Sequence, residues 1–292
     1  MGNQAIFSEE LITAYQKTRE KEFWLKKLFG ELVKSHFYYD IKPIGNIHRH
    51  FKSRTFSITE EIFSRLLQIS NNSDLRLHMI LTVGLLILIK KFTGDNDIVI
   101  GAPVYKQQMD MNADTEIKFT NTVLILRNPI DAGITFKELL LQVKQTISEA
   151  ANHVNYPVKL LAQQLGFQFS QNEDFPLFDI SILLENIHDK KYLQHFNHNM
   201  IFSFVKKGNC IEGILEYNSS LYLQETILQI INYFSHILKK VLFDVNLKIS
   251  ELELISSEEK EKLLYEFNDT RTGYHNNKTI HQLFEEQVER TP

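Results

Sequence analysis

Cysteine is nearly absent from this sequence, which holds a single copy, Cys210, among its 292 residues. One cysteine cannot form an intrachain disulfide framework, and such a chain suits a reducing compartment. The first thirty residues also lack the apolar segment of a secretion signal. We therefore predict a cytoplasmic protein.

Long apolar runs and an excess of positive charge are missing too. The most apolar stretch, residues 79–89, is only eleven residues long, whereas a membrane span needs about 18–20. The formal net charge is −4 and no basic stripe offsets it, which argues against a nucleic-acid partner. Neither a membrane nor a nucleic acid is predicted as a partner.

Three common signatures of binding or catalysis do not occur in the sequence. It contains no G-x-G-x-x-G, no G-x-x-x-x-G-K-[ST] and no G-x-S-x-G, so neither a nucleotide site nor a serine hydrolase elbow is indicated. Cys210 falls in a predicted hairpin strand, where we expect a small buried apolar residue.

Histidine is comparatively abundant, with eleven copies. His48 and His50 have strand spacing, but no acidic or thiol ligand lies nearby in the sequence, so no metal site is predicted. His195 and His198 lie in a polar segment and are predicted to be solvated.

His36 and Asp40 form an H-x-x-x-D pattern, which some acyltransferases use to place a general base. In those enzymes glycine follows the aspartate and lets the loop turn, whereas Ile41 follows it here. His36 and Asp40 are the candidate catalytic pair. The alternative is that this short pattern occurs by chance.

Residues 78–104 organise the rest of the chain. Residues 79–89 are apolar on every side apart from Thr82 and Gly84, which predicts a helix buried all round. Ser73 is placed to begin this helix and Gly94 to end it. A β-branched strand at 98–100 follows, and a helix that leads into an inner strand is typical of α/β layer folds.

Apolar spacing predicts the remaining elements. Helices are expected at 8–35, 59–69, 135–151, 158–166 and 223–245, and further strands at 51–58, 121–126 and 178–184. A hairpin is expected to join 201–205 to 210–217. Residues 106–116 are predicted to form an exposed loop, and residues 251–292 a charged segment with a helix at 257–267.

Several stretches, in this order, resemble the condensation domains of non-ribosomal peptide synthetases. They are EFWLKKLFG at 22–30, FTGDNDIVIGAPV at 92–104, KFTNTVLILRN at 118–128, ANHVNYPVKLLAQQLG at 151–166, FPLFDISILLEN at 175–186 and EGILEYNSSLYLQETI at 212–227. The match is to the C-terminal lobe of that domain. FNDTRTGYHNNKTIHQLFEEQVERTP, at 267–292, resembles the opening of an adenylation domain.

The resemblance implies a two-layer α/β fold with a mixed β-sheet and packed helices, like one lobe of chloramphenicol acetyltransferase. Residues 1–250 would form the lobe, and residues 251–292 a linker with the start of an adenylation domain. It also implies an assembly-line setting in which substrates ride on the phosphopantetheine arms of carrier proteins. No cofactor is expected to bind this chain directly.

The departures from the family pattern shape the functional hypothesis. The catalytic HHxxxDG of the family, which lies in its first lobe, is absent here, and His36–Asp40 stands on the other lobe. We predict a non-catalytic structural or docking module beside an adenylation domain. The alternatives are half of an active enzyme completed by a separate HHxxxDG-bearing lobe, and a stand-alone acyltransferase using His36.

Two segments are predicted to border the family's substrate channel. The candidate channel-wall residues are Asn121, Thr122, Arg127, His153, Tyr156 and Pro157. For Asn121 and Tyr156 a plainly structural role remains equally open, with Asn121 satisfying buried backbone groups and Tyr156 packing. The stretch from Asn121 to Arg127 is one residue longer than is usual in the family, which is a departure from its pattern.

Overall fold

The computed structural model describes residues 18–43, 49–106, 121–168, 174–255, 260 and 279–291. The chain divides into two compact units, Met1–Leu254 and Ile255–Pro292. The predicted exposed loop at 106–116 and the predicted helix at 257–267 lie almost wholly outside the described residues.

The central helix, α3, runs from Asp74 to Thr93 and is buried from Leu77 to Ile89. Its caps are the predicted ones: the Ser73 side chain accepts a hydrogen bond from the Arg76 backbone N–H, and Gly94 adopts a left-handed conformation with φ 82°. Gly84 lies where α3 meets a later helix, and a Cβ there would come within 2.8 Å of Leu238. The close approach explains a glycine inside a helix.

The sheet has six strands in the order β1-β6-β5-β4-β2-β3. The strands are β1 (Phe51–Ser57), β2 (Asp97–Pro103), β3 (Val123–Pro129), β4 (Ile180–Leu184), β5 (Met200–Lys207) and β6 (Cys210–Asn218). β4 is parallel to both of its neighbours, and the other pairs are antiparallel. The predicted hairpin is the pair β5–β6, whose turn contains Gly208 at φ 52°.

The other helices of the first unit are α1 (Thr18–Lys27), α2 (Glu60–Ser70), α4 (Phe136–Asn152), α5 (Val158–Gln164) and α6 (Gln224–Phe243). α2, α3, α4 and α6 pack together against the sheet. Phe234 of α6, for example, contacts the rings of Phe56, Phe202 and Phe204. The prediction of a two-layer α/β fold with a mixed sheet is confirmed.

Three local predictions need correction. α1 ends at Lys27 instead of continuing to residue 35, and Gly30 follows it with φ 98°. Cys210 is exposed, not buried, because it is the first residue of β6, directly after the hairpin turn. His198 is buried, not solvated.

The described part of the second unit is one helix, α7 (Ile280–Arg290), which begins with a capping box between Thr279 and Gln282. Its apolar residues Ile280, Phe284 and Val288 are exposed. Across the described residues of both units, no helix is long and apolar enough to span a membrane.

Candidate functional site

The two faces of the sheet differ in how fully they are covered. In β6 the residues on the helix side, such as Leu215 and Tyr217, are buried, whereas Glu212, Ile214 and Glu216 on the other side are only half-buried. Side chains alternate between faces along a strand, so this alternation identifies an open face over β6, next to the edge strand β1. A site on this face can be reached from solvent.

A pocket of about 500 Å³ lies on the open face. Ile201 of β5, Glu216 of β6 and Phe51 of β1 contribute from the sheet, and the segment 190–198, called here the pocket wall, closes one side. The lining residues are Arg49, Phe51, Lys190, Lys191, Leu193, Gln194, Phe196, Asn197, His198, Ile201 and Glu216. Volumes of this size accommodate small organic ligands.

The pocket wall is held by residues from three parts of the chain. It begins with a 3₁₀ helix, Lys190–Leu193, whose start is capped by the side chain of Asp189. The Thr122 hydroxyl donates to the Tyr192 carbonyl at 2.9 Å, and Lys190 forms an ion pair with Glu216. Thr122, predicted to line a channel, thus helps to place the pocket wall.

A polar network with two buried members, Asp179 and Asn199, lies beside the pocket residue Arg49, and sequence reasoning missed it. Lys34 Nζ lies 3.1 Å from Asp174 Oδ2 and 3.3 Å from Asp179 Oδ1. The Asn199 amide donates to both carboxylates, at 3.0 and 2.8 Å, and Arg49 pairs with Asp174 at 2.5 Å. The network therefore fixes Arg49, a pocket residue, to the start of the β4–β5 region.

The two carboxylates of this network respond differently to their surroundings. Burial raises the pKa of Asp179 above its usual range, although the Lys34 charge opposes the shift. Burial would also raise the pKa of Asp174, but Lys34 and hydrogen bonds from Arg49 and Asn199 bring it below its usual value. A buried carboxylate that is paired and hydrogen-bonded can stay ionised.

Three buried histidines are held neutral. Burial lowers the pKa of His198, beside the pocket, to about 4 and that of His78, in α3, to about 3. Burial likewise lowers the pKa of His188, which lies against His78 with ring centroids 4.5 Å apart. Among the described residues, no group of three or more His, Cys, Asp or Glu side chains is arranged to hold a metal ion.

The candidate channel-wall residues around Asn121 do come together, but through backbone contacts. The buried Asn121 amide nitrogen donates to the carbonyls of Val154, at 2.8 Å, and Tyr156, and its oxygen accepts from the Val158 N–H at 2.8 Å. Of the two roles considered for Asn121, this geometry matches the satisfaction of buried backbone groups.

His153, Tyr156 and Pro157 have local structural contacts as well. His153 stacks on Phe23 with ring centroids 3.8 Å apart and its Nδ1 lies 2.8 Å from the Glu149 carbonyl oxygen. The buried Tyr156 donates to Gln164 at 2.8 Å, and Pro157 directly precedes α5, at its N-cap position. None of these residues lines the pocket described above.

Arg127 lies at the far end of β3 and binds one carboxylate. Its Nε is 3.1 and 2.9 Å from the two oxygens of Asp97, and a terminal nitrogen is 2.6 Å from Oδ2. Its other terminal nitrogen donates to the carbonyls of Lys27 and Phe29. Arg127 therefore ties the end of α1 to the β2–β3 pair.

His36 and Asp40 contact different parts of the chain. The Asp40 carboxylate accepts from the Leu223 N–H at 2.7 Å and from the Thr226 hydroxyl at 2.8 Å, and so holds the start of α6. His36 stacks on Tyr39, and its Nδ1 lies 2.8 Å from the Phe37 carbonyl oxygen.

The mixed sheet and its helix layer define an acyltransferase-like α/β lobe, and comparison with known proteins gives the family. Residues 7–264 match the model of the condensation domain. The chain belongs to the condensation domain family of the non-ribosomal peptide synthetases.

Two curated relatives are peptide-antibiotic synthetases. The chain is 32% identical to gramicidin S synthase 2 of Brevibacillus brevis over 257 residues, and this alignment covers 82% of the chain and 6% of that protein. It is 29% identical to bacitracin synthase 3 of Bacillus licheniformis over an alignment of 309 residues, and this alignment covers 98% of the chain and 5% of that protein. The chain thus corresponds to a small part of these relatives.

Solved structures show the same fold at low identity. A four-domain non-ribosomal peptide synthetase in its holo form, bound to AMP and glycine, matches with a TM-score of 0.77 at 16% identity, over 92% of this chain and 22% of the other. The X-domain from teicoplanin biosynthesis matches with a TM-score of 0.71 at 18% identity, over 86% of this chain and 61% of the other.

Proposed function

We propose that this chain is the C-terminal lobe of a condensation domain followed by the start of an adenylation domain, and that it acts as a structural or docking module without catalysing amide formation by itself. Its partners would be an adenylation domain in cis and carrier proteins that bear phosphopantetheine. The order of the motifs along the chain supports the assignment to this lobe.

The observation that carries the proposal is the use of Asp40 as a helix cap. Both carboxylate oxygens are engaged at the start of α6, so the aspartate does not orient the His36 ring. The 292 residues contain no HHxxxDG, the motif that supplies the family's general base. A general base contributes about 10²–10⁴-fold to such a reaction, and its absence supports a chain that is inactive on its own.

The docking part of the proposal rests on α7. Ile280, Phe284 and Val288 recur at four-residue spacing, which places them on one side of the helix, and the first two are 84% and 70% exposed. A row of large exposed apolar side chains favours burial against a partner. The resemblance of residues 267–292 to the opening of an adenylation domain makes that domain the expected partner.

The test is a condensation assay with the purified chain, a donor carrier protein loaded with an aminoacyl thioester and an acceptor carrier loaded with a second amino acid. In the reaction the acceptor amine attacks the donor carbonyl, the thioester C–S bond breaks, an amide forms and the donor thiol is released. We expect no dipeptidyl thioester above background, while a complete condensation domain run in parallel gives product. Turnover by the chain alone would refute the proposal, and its loss in His36→Ala would identify a stand-alone acyltransferase.

A second candidate is half of an active enzyme, and the open face with its accessible pocket favours it. In this case a separate lobe bearing HHxxxDG would supply the general base. The same assay distinguishes the two, because adding such a lobe in trans restores product only if the two halves form one enzyme. The control is a companion lobe in which the second histidine of the HHxxxDG motif is replaced by alanine.

A further inference from the structure

The cationic side chains that line the pocket on the open face are all paired with carboxylates. The three ion pairs are Arg49–Asp174 at 2.5 Å, Lys191–Asp189 at 2.8 Å and Lys190–Glu216. Three cations thus face three carboxylates, and the charges around the pocket cancel. A charged ligand would have to separate one of these pairs or lose its own water without gaining a counter-charge. The balance of charge therefore favours an uncharged ligand.

Much of the remaining lining is apolar. Its apolar members are Phe51, Leu193, Phe196 and Ile201. Phe196 is fixed by neighbouring rings, with its centroid 5.0 Å from that of Phe175 and 5.8 Å from that of Phe178. Phe51 remains 47% exposed although its side chain is large and aromatic. Apolar surface that lines an accessible pocket favours a ligand with an apolar body.

The other lining residues are polar but uncharged. They are Gln194, Asn197 and His198. Burial lowers the pKa of His198 to about 4, so its ring is neutral at pH 7. Side-chain amides and a neutral imidazole contain both donors and acceptors of hydrogen bonds. They suit a neutral polar group on the ligand, such as a hydroxyl, which can also donate and accept.

We propose that this pocket binds an uncharged organic molecule that has an apolar body and a neutral polar group. The apolar body would lie against Phe51, Phe196 and Ile201, and the polar group near the amides and the imidazole of residues 194–198. A volume of about 500 Å³ is sufficient for a ligand of this kind. The inference goes beyond the proposed role in condensation, since it concerns a bound small molecule and uses none of the candidate channel-wall residues.

The binding test uses phenylnaphthylamine, an uncharged probe whose fluorescence rises in apolar surroundings, and anilinonaphthalene sulfonate, which has the same rings and a negative charge. We expect saturable binding of one uncharged probe per chain, at least about tenfold tighter than that of the sulfonate. Octanol should displace the probe, whereas octanoate and octylammonium should need concentrations at least about tenfold higher. Equal or tighter binding of the sulfonate, or no saturable binding of the uncharged probe, would overturn the proposal.

Glu216→Gln tests whether the paired charges set the class of ligand. The change leaves Lys190 without its carboxylate, so the pocket gains a net positive charge. The sulfonate should then bind about fivefold tighter or more, while the affinity for the uncharged probe should change by less than about twofold. The control is Glu212→Gln in the same strand, because Glu212 pairs with Lys207 and neither residue lines the pocket. An unchanged affinity for the sulfonate in Glu216→Gln would contradict the proposal.

A second pair of variants locates the binding. Phe51→Ser is matched by Phe243→Ser, since both phenylalanines are 47% exposed. We expect Phe51→Ser to weaken binding of the uncharged probe by about fivefold or more and Phe243→Ser by less than about twofold. Equal losses in the two variants would place the probe elsewhere and refute the site.

Two further measurements distinguish lost binding from a change in folding. None of the four substituted residues is buried, so the thermal midpoint of each variant should stay close to that of the parent chain. With methyl-labelled isoleucine, the Ile201 signal should shift when octanol is added to the parent chain and remain unmoved in Phe51→Ser. An Ile201 signal that does not respond to octanol in the parent chain would also overturn the proposal.

Discussion

Replacement of Asn121 by alanine tests how the β3–α5 junction is held together. The Asn121 side chain makes three hydrogen bonds to backbone groups of residues 154–158, and the side chain is buried. Alanine removes all three and leaves two carbonyls and one N–H without their partner. A net hydrogen bond contributes about 1 kcal/mol, and an orphaned buried group costs about 1–3 kcal/mol, so Asn121→Ala should lower the free energy of unfolding by about 3 kcal/mol.

Urea denaturation followed by circular dichroism measures this loss. With a slope of about 3 kcal/mol per molar urea for a unit of this size, the midpoint should fall by about 1 M. Asn246→Ala, at an exposed position, is the matched control and should change the free energy of unfolding by less than about 0.5 kcal/mol. A loss below about 0.5 kcal/mol for Asn121→Ala would refute the structural role and return Asn121 to the set of channel-wall candidates.

Three further predictions concern residues with defined contacts. Asp40→Ala removes both contacts at the start of α6 and should cost about 1–2 kcal/mol by thermal denaturation, whereas His36→Ala should cost less. Arg127→Lys loses the fork on Asp97 and should cost about 1–3 kcal/mol in urea, whereas Arg76→Lys, at an exposed position, should be neutral. Burial lowers the pKa of His198 to about 4 in the folded state, from an ordinary value of 6.5. As the pH falls below about 6.5 the unfolded chain therefore binds a proton before the folded chain does. The free energy of unfolding should fall by about 2 kcal/mol between pH 7.5 and pH 5. His198→Leu should reduce that loss.

Each of these expectations has an opposite result that contradicts it. If Asp40→Ala leaves the midpoint unchanged, the carboxylate is not a cap of α6 in solution. If Arg127→Lys is as stable as the parent chain, a single charge suffices at that site. A pH dependence that is the same in His198→Leu and the parent chain would mean that His198 is not kept neutral by burial.

The sequence by itself determined the central helix and the elements next to it in the chain. Ser73 and Gly94 mark the ends of α3, the apolar run between them predicts burial on all sides, and the β-branched residues after Gly94 predict β2. These signals are local, because caps, periodicity and turn chemistry depend on residues within a few positions of one another. The family resemblance added the mixed sheet and the helix layer, and the fold confirmed both.

Contacts between distant residues were decided only by the tertiary structure. Lys34, Asp174 and Asp179 carry no pattern in the sequence, yet the fold brings Lys34 to two carboxylates that follow it by 140 and 145 positions. The same holds for Asn121, whose polar side chain at the head of an apolar strand fitted a channel wall and a backbone anchor equally well. The sequence shows how polar a residue is, but not which groups it contacts in the folded chain. Its burial and its hydrogen-bond partners are determined only when the sheet and the helices pack together.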